Sequence, residues 1–217
     1  MRIATWNIER LRHKNELASI IAACEQVNAD ILVLTENDSH LNLDYKSCFS
    51  TVPPEDKDFY SPTETRVTIY TNYELVRRYN TFDEHTAVCV ELKTEVGNLL
   101  VYGTIIGIYV NRHENFMRDL LCQIRDIEHL AKENSLCVIG DFNCSFSDNY
   151  YFTKNGRAAL EDAFTRNEIT LVTRKQPECI DHIAVSSKAI ADVTAEVREW
   201  NLDKKLSDHK GIVVELT

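Results

Sequence analysis

The chain has 217 residues, 44% of them hydrophobic and 27% charged, with only 4 Pro and 6 Gly, which excludes a disordered or low-complexity protein and supplies the apolar material for one full core. Its formal net charge of -10 sets the mean surface field against polyanions, so tight nucleic-acid binding would need a local basic strip or bound cations to reverse the sign. Seven cysteines, an odd number without CxxC spacing and mostly inside apolar runs such as Ala22-Ala23-Cys24 and Leu136-Cys137-Val138, read as reduced core thiols rather than a zinc site.

In chain order, Arg2 to Trp6 reads as a first strand, and Leu17, Ile20, Ile21 and Cys24 recur at helical spacing between Asn15 and Val27. Ile31 to Leu34 is then a buried strand, completing a strand, helix, strand unit. The polar stretch from Asn37 to Pro62 holds three of the four prolines and predicts mostly loop, with one edge strand around Cys48 to Thr51. Strands follow at Val67 to Tyr70, Glu74 to Tyr79, Ala87 to Lys93 and Leu99 to Ile108, spaced as in an antiparallel meander. A second helix is expected from Asn115 to Lys132, with Phe116, Leu120, Leu121, Ile124 and Ile127 on one face. After the strand Leu136 to Ile139 comes a third helix around Gly156 to Asn167, and strands near Thr170 to Val172, Ile180 to Ser186 and Ile212 to Leu216 close the chain. No repeat or linker interrupts this pattern, so one domain over residues 1–217 is expected. No segment has the length of a membrane span and no signal peptide follows Met1, which predicts a cytoplasmic protein. Nothing in the sequence speaks to its oligomeric state.

Four polar clusters directly follow predicted buried strands: Asn7 with Glu9, then Glu36, then Asp141 with Asn143, and finally Asp181 with Ser207-Asp208-His209. A rigid scaffold presents catalytic groups at such strand ends. Carboxylates that converge repel one another unless a divalent cation or shared protons offset the charge. Oxygen-rich sets of this kind suit Mg2+ or Mn2+ rather than zinc. Taken singly, each residue reads more readily as a turn former or a solvated strand end than as a functional group.

The ordered series Thr5-Trp6-Asn7-Ile8-Glu9, Leu34-Thr35-Glu36, Gly140-Asp141-Phe142-Asn143, Ile180-Asp181-His182-Ile183-Ala184-Val185-Ser186 and Leu206-Ser207-Asp208-His209 resembles the endonuclease/exonuclease/phosphatase superfamily over nearly the whole chain. The resemblance implies an α+β fold, a four-layer α/β/β/α sandwich of two mixed β-sheets flanked by helices, with the site at one end. It also implies residue roles. Glu36 corresponds to the principal metal ligand, with Glu9 and Asp208 as direct or water-mediated ligands. Asp141 corresponds to the carboxylate that orients or deprotonates the attacking water, and Asn143 and Asn7 to the amides that hold phosphate and water in line. His209 corresponds to the histidine on the scissile phosphate, and Asp181 to the carboxylate that sets its tautomer. His182, next to Asp181 on a strand, should face the other way and serve the structure.

The chain departs from the family where many members carry a second His or a Tyr: the strand Val101-Tyr102-Gly103-Thr104-Ile105-Ile106 offers Thr104 or Ile105 instead. Tyr109, Arg112 or His113 downstream are alternative phosphate contacts, or ordinary loop residues. Arg10, Arg12, His13, Lys14, Arg66, Arg112, Arg174 and Lys175 read either as a phosphate-tracking rim, with Arg10, Arg112 and His113 as its substrate contacts, or as solvated charges on an acidic protein. The expected activity is hydrolysis of phosphodiester bonds in DNA or RNA with Mg2+ or Mn2+. The alternatives are a small phosphate ester, such as a lipid head group or nucleotide, as substrate, and a binding module that keeps the fold with little turnover.

Overall fold

A computed structural model describes residues 1–56, 58–191 and 193–217, together with every side chain among them except that of Lys14. Its elements run β1 (Arg2–Asn7), α1 (Leu17–Val27), β2 (Ile31–Asp38), β3 (Ser47–Ser50), β4 (Glu64–Thr71), β5 (Glu74–Tyr79), β6 (Ala87–Thr94) and β7 (Gly97–Ile105). They continue with α2 (Phe116–Ala131), β8 (Leu136–Asp141), α3 (Lys154–Arg166), β9 (Ile169–Leu171), β10 (Asp181–Ser186), β11 (Ala195–Trp200) and β12 (Gly211–Leu216).

The strands form two six-stranded sheets, ordered β11-β12-β1-β2-β4-β3 and β5-β6-β7-β8-β10-β9. Each contains one parallel pair, β1 with β2 and β7 with β8, and is otherwise antiparallel. The parallel pairs arise because α1 and α2 provide the crossovers that parallel neighbours require. Side chains alternate across each strand. On β1, Ile3 faces the inter-sheet core with Val33, Val67, Val101, Ile139, Val185 and Val214, while Ala4 and Trp6 face outward to Ile20 and Cys24 of α1. On the far side Leu120, Ile124 and Ile127 of α2 and Leu160 and Phe164 of α3 cover Leu100, Tyr102, Val138 and Ala184. Burial on both faces explains why the central strands read as continuous apolar runs. The result is the expected four-layer α/β/β/α sandwich.

Several local differences separate the sequence reading from the structure, and β2 is one: it continues past Leu34 to Asp38, so Asn37 and Asp38 pair with β4 instead of opening a loop. The strand expected to reach Ile108 ends at Ile105, because Gly107 turns the chain with φ +71° and packs so closely on the Phe116 ring that a Cβ would lie 2.2 Å from it. Strand β11 was not expected: its charged Glu196, Arg198 and Glu199 mask the pattern, as befits a sheet edge protected against further pairing. Helix α3 starts at Lys154, two residues before Gly156, because the Thr153 hydroxyl caps it by accepting the Gly156 N–H at 3.1 Å. All seven cysteines are unbonded and five are buried. No helix among the described residues is long and apolar enough to cross a membrane.

Candidate active site

Strands β1, β2 and β8 finish side by side at one end of the sandwich, and the polar residues that follow their apolar runs meet there. Asn7 Nδ2 donates to Glu36 Oε1 at 3.3 Å and to Asp141 Oδ2 at 3.2 Å. One amide thus links carboxylates on the two sheets. Its Oδ1 accepts the Glu9 N–H at 2.9 Å. Glu36 sits in the left-handed region at φ 46°, as do Asn143 at φ 49° and the successive residues Glu9, Arg10 and Leu11. A left-handed non-glycine residue costs roughly 1–2 kcal/mol, and such strain collects where a side chain must be aimed at a site.

Asp181 lies directly opposite Asp141 in the β8/β10 ladder, and its Oδ2 accepts from His209 Nδ1 at 2.6 Å. That bond fixes the proton on Nδ1. The histidine loop is tied to β1 from several sides. Ser207 Oγ donates to the Asn7 carbonyl at 2.6 Å and accepts the His209 N–H at 3.1 Å. Trp6 Nε1 and Asn201 Nδ2 both donate to the His209 carbonyl, and Glu9 accepts the Asp208 N–H at 2.8 Å.

Burial opposes the His209 imidazolium, but Asp181, with help from Asp141 and Asp208, overrides it and raises the pKa to about 10. Burial and the adjacent Asp181 charge raise Asp141 to about 7, against the opposing pull of His209 and of the Asn143 N–H. His182 lies on the other face of β10, fully buried. Its ring contacts Thr173 Oγ1 and the carbonyls of Cys144 and Cys179 at 2.8 to 3.2 Å. Burial there lowers its pKa to about 4, so it is a neutral structural group, as expected.

Two cavities border this cluster. One, about 240 Å3, is lined by Glu9, Glu36 and Asp208 together with Arg10, Arg12, Phe59, Tyr60, Arg66, Ile105, Ile108 and His209. The other, about 320 Å3, includes Asn143, Asp181, Asp208 and His209 with Tyr150, Lys204 and Lys210. A larger, more open cavity of about 700 Å3 borders the first through Arg12 and contains His13 and Lys205, but none of the convergent carboxylates. The site therefore lies in the smaller pair.

The structure brings together Asn7, Glu9, Glu36, Asp141, Asn143, Asp181, Asp208, His209 and Arg10. It does not bring Arg112 and His113 to either cavity: the turn after Gly107 leaves both exposed, and His113 stacks on Tyr109 with ring centroids 5.1 Å apart. Arg174 pairs with Glu161 instead. The side chain of Lys14 is outside the described residues. Ile105 lines the first cavity, and the Thr104 hydroxyl points away to Gln123. Phe59, Tyr60, Tyr150 and Lys204 were not anticipated. They sit in loops, and an aromatic beside a basic residue in a loop carries no periodic signal.

Among the described residues no three His, Cys, Asp or Glu side chains close into a ligand cluster. Magnesium, however, commonly takes one or two carboxylates and completes its octahedron with water and substrate oxygens. Glu36 with Glu9 and Asp208 on one small cavity offers that all-oxygen donor set. Arg10 and Arg12 offset part of its charge through contacts of 3.6 Å to Glu36 and Glu9.

Residues 4–209 match the model of the Endonuclease/Exonuclease/phosphatase family, and the chain belongs to that family. Its members are hydrolases acting on phosphoester bonds. No curated protein matches the sequence. Among solved structures, an endonuclease/exonuclease/phosphatase from Beutenbergia cavernae is similar at TM-score 0.73 and 14% identity, covering 100% of this chain and 71% of that one. An AP endonuclease from Archaeoglobus fulgidus is similar at 0.73 and 15%, covering 100% and 99%. A 3' phosphatase from Neisseria, bound to a product DNA hairpin, is similar at 0.72 and 16%, with coverage of 100% and 99%.

Proposed function

We propose that the protein is a Mg2+- or Mn2+-dependent phosphodiesterase that hydrolyses DNA or RNA, most of its chemistry residing in Asn7, Glu36, Asp141, Asp181 and His209. The observation that carries this reading is the meeting of the hydrogen-bonded Asp181–His209 pair with the Asn7-linked carboxylates Glu36 and Asp141. A phosphate between them is met by a cationic donor on one side and by a base on the other.

Glu36, with Glu9 and Asp208, would hold a divalent cation, which would supply Lewis-acid polarisation of a phosphoryl oxygen and offset developing charge. The protein groups do the rest. Asp141, ionising near neutrality, orients the attacking water and accepts its proton. Asn7 holds Asp141 and Glu36 at a fixed separation without adding charge. Asn143 shapes the Asp141 loop: its N–H donates to Asp141 Oδ1 at 2.8 Å and its Nδ2 to the Ile106 carbonyl at 2.9 Å. Its remaining amide hydrogen is available to the phosphate. His209 carries its second proton on Nε2, from which it donates to a non-bridging oxygen as negative charge builds. Arg10 and Arg66 line the approach. The unbonded cysteines accord with a cytoplasmic setting.

The test is incubation of the purified protein with DNA, RNA and a phosphomonoester panel under Mg2+ or Mn2+. New nucleic-acid ends are the expected product. Intact nucleic acid together with release of inorganic phosphate from a small ester would assign the site to a phosphatase instead.

A further inference from the structure

The two cavities at the site share only Asp208 and His209. A phosphate held at His209 therefore has room for one ester substituent in each. Beyond the shared pair, each cavity is walled by an aromatic ring with a cation on it. In the first, Arg10 Cζ stands 4.6 Å from the Phe59 centroid and 5.1 Å from that of Tyr60, with Arg66 5.0 Å from Tyr60. In the second, Lys204 Nζ lies 5.1 Å from the Tyr150 centroid and 3.2 Å from its hydroxyl.

Neither leading ring is part of the core. Phe59 is 61% exposed and Tyr150 51%, although the fold has enough apolar residues to fill its layers without them. A large aromatic left at the surface beside a catalytic histidine has an open face to offer a ligand. Every base has a π-face, so an exposed aromatic receives any base, but only one that is not already stacked in a duplex. Arg10, paired with Glu36 at 3.6 Å and Glu64 at 3.8 Å, braces the Phe59 wall, which leaves Arg66 and Lys204 as the cations to meet neighbouring phosphates. The net charge of -10 opposes any polyanion, and opposes a duplex more than a single strand because the duplex carries about twice the phosphate charge per unit length.

We infer that the substrate is single-stranded nucleic acid, seated with one unpaired base on Phe59, which Tyr60 braces edge-on at 76°, another on Tyr150, and the scissile phosphate between them at His209. This deepens the proposed phosphodiesterase reading and rests on it for the position of the cut. A simple phosphomonoester would fill one cavity and leave the other without a role.

The test separates binding from cleavage. In EDTA, fluorescence anisotropy measures the affinity of the whole protein for labelled oligothymidylate and oligouridylate of about ten nucleotides and for a matched duplex, the length spanning one to two single-strand binding sites. One or both single strands are expected to bind about tenfold or more tighter than the duplex. Phe59→Ala and Tyr150→Ala should each weaken single-strand binding about fivefold or more, the usual scale for one lost base stack. Phe82→Ala, an exposed ring lining neither cavity, should not. Both tested rings are at the surface, so the variants are expected to fold, which circular dichroism checks. Equal affinity for the duplex, or unchanged binding in both variants, overturns the inference, and cleavage with Mg2+ would still stand for the phosphodiesterase. Conversely, single-strand binding that depends on Phe59 and Tyr150 but is followed by no cleavage overturns the phosphodiesterase and leaves strand binding in place.

Discussion

His209 is held as an imidazolium by a buried carboxylate at 2.6 Å, and that single contact makes several quantities measurable. In the metal-free protein the ring should remain protonated until about pH 10, and Asp181→Asn should return its titration toward the ordinary 6.5, as followed by imidazole NMR shifts. A pKa raised on folding contributes stability that is complete below about pH 6.5 and is lost as pH rises through 10. His209→Ala should lower kcat about a hundredfold or more, the usual scale for a positioned proton donor. Asp141 has the complementary role. Its pKa of about 7 predicts a rising limb of activity near neutrality, moved to lower pH by a cation at Glu36 and removed in Asp141→Asn. These chemistry-bearing residues were legible because each lies where an apolar run meets a polar turn: Asn7, Glu36 and Asp141 follow such runs, whereas Asp181 opens β10 and His209 precedes β12, not following strands as the sequence suggested. The parts that Trp6, Ser207 and Asn201 play in aiming the histidine were not: Trp6 reaches a carbonyl 203 residues away and Ser207 one 200 residues away, a relation no local pattern encodes.

Strand ends set the site's dimensions, and at Gly140 one strand end packs directly on its neighbour's backbone. That glycine lies at φ +134°, and a Cβ there would sit 2.0 Å from the Thr104 carbonyl of the neighbouring strand. Gly140→Ala should destabilise the protein by about 2 kcal/mol or more, read as a lower urea midpoint, and should displace Asp141 with it. On the opposite face of β10, His182 must stay neutral to remain buried. Its pKa, lowered from 6.5 to about 4, means that stability falls as pH drops through that window, because the unfolded chain then binds the extra proton. Urea unfolding from pH 7 to 4 should show this slope, and His182→Gln should flatten it at the cost of some stability at neutral pH. The central strands were readable because burial on both faces leaves continuous apolar runs. β11 was hidden because an edge strand carries charges that break its alternation, and the left-handed turn after Asn7 was hidden because none of Glu9, Arg10 and Leu11 favours it.

At the scale of the whole molecule, an acidic protein concentrates carboxylates at one end of its sandwich and offsets them with Arg10, Arg12, Arg66 and His209. A divalent cation bound there would relieve the remaining repulsion and stabilise the folded state alone. At a hundredfold excess over its Kd that linkage is worth about 2.7 kcal/mol, which for a chain of 217 residues raises Tm by about 5 to 10 °C. Glu36→Gln should abolish most of that shift in a thermal melt without lowering the Tm of the metal-free protein by a comparable amount. The layered fold was visible in the chain order of strands and helices. The aromatic walls of the two cavities were not, because they depend on loops whose placement is set by packing rather than by period. The most direct measurement is the rate of phosphodiester hydrolysis by wild-type protein and His209→Ala, each with Mg2+ and with EDTA. Turnover in wild type with Mg2+ alone, reduced about a hundredfold or more by the substitution, is the predicted result. Equal rates in EDTA, or a His209→Ala variant as active as wild type, would contradict a catalytic centre built on these residues.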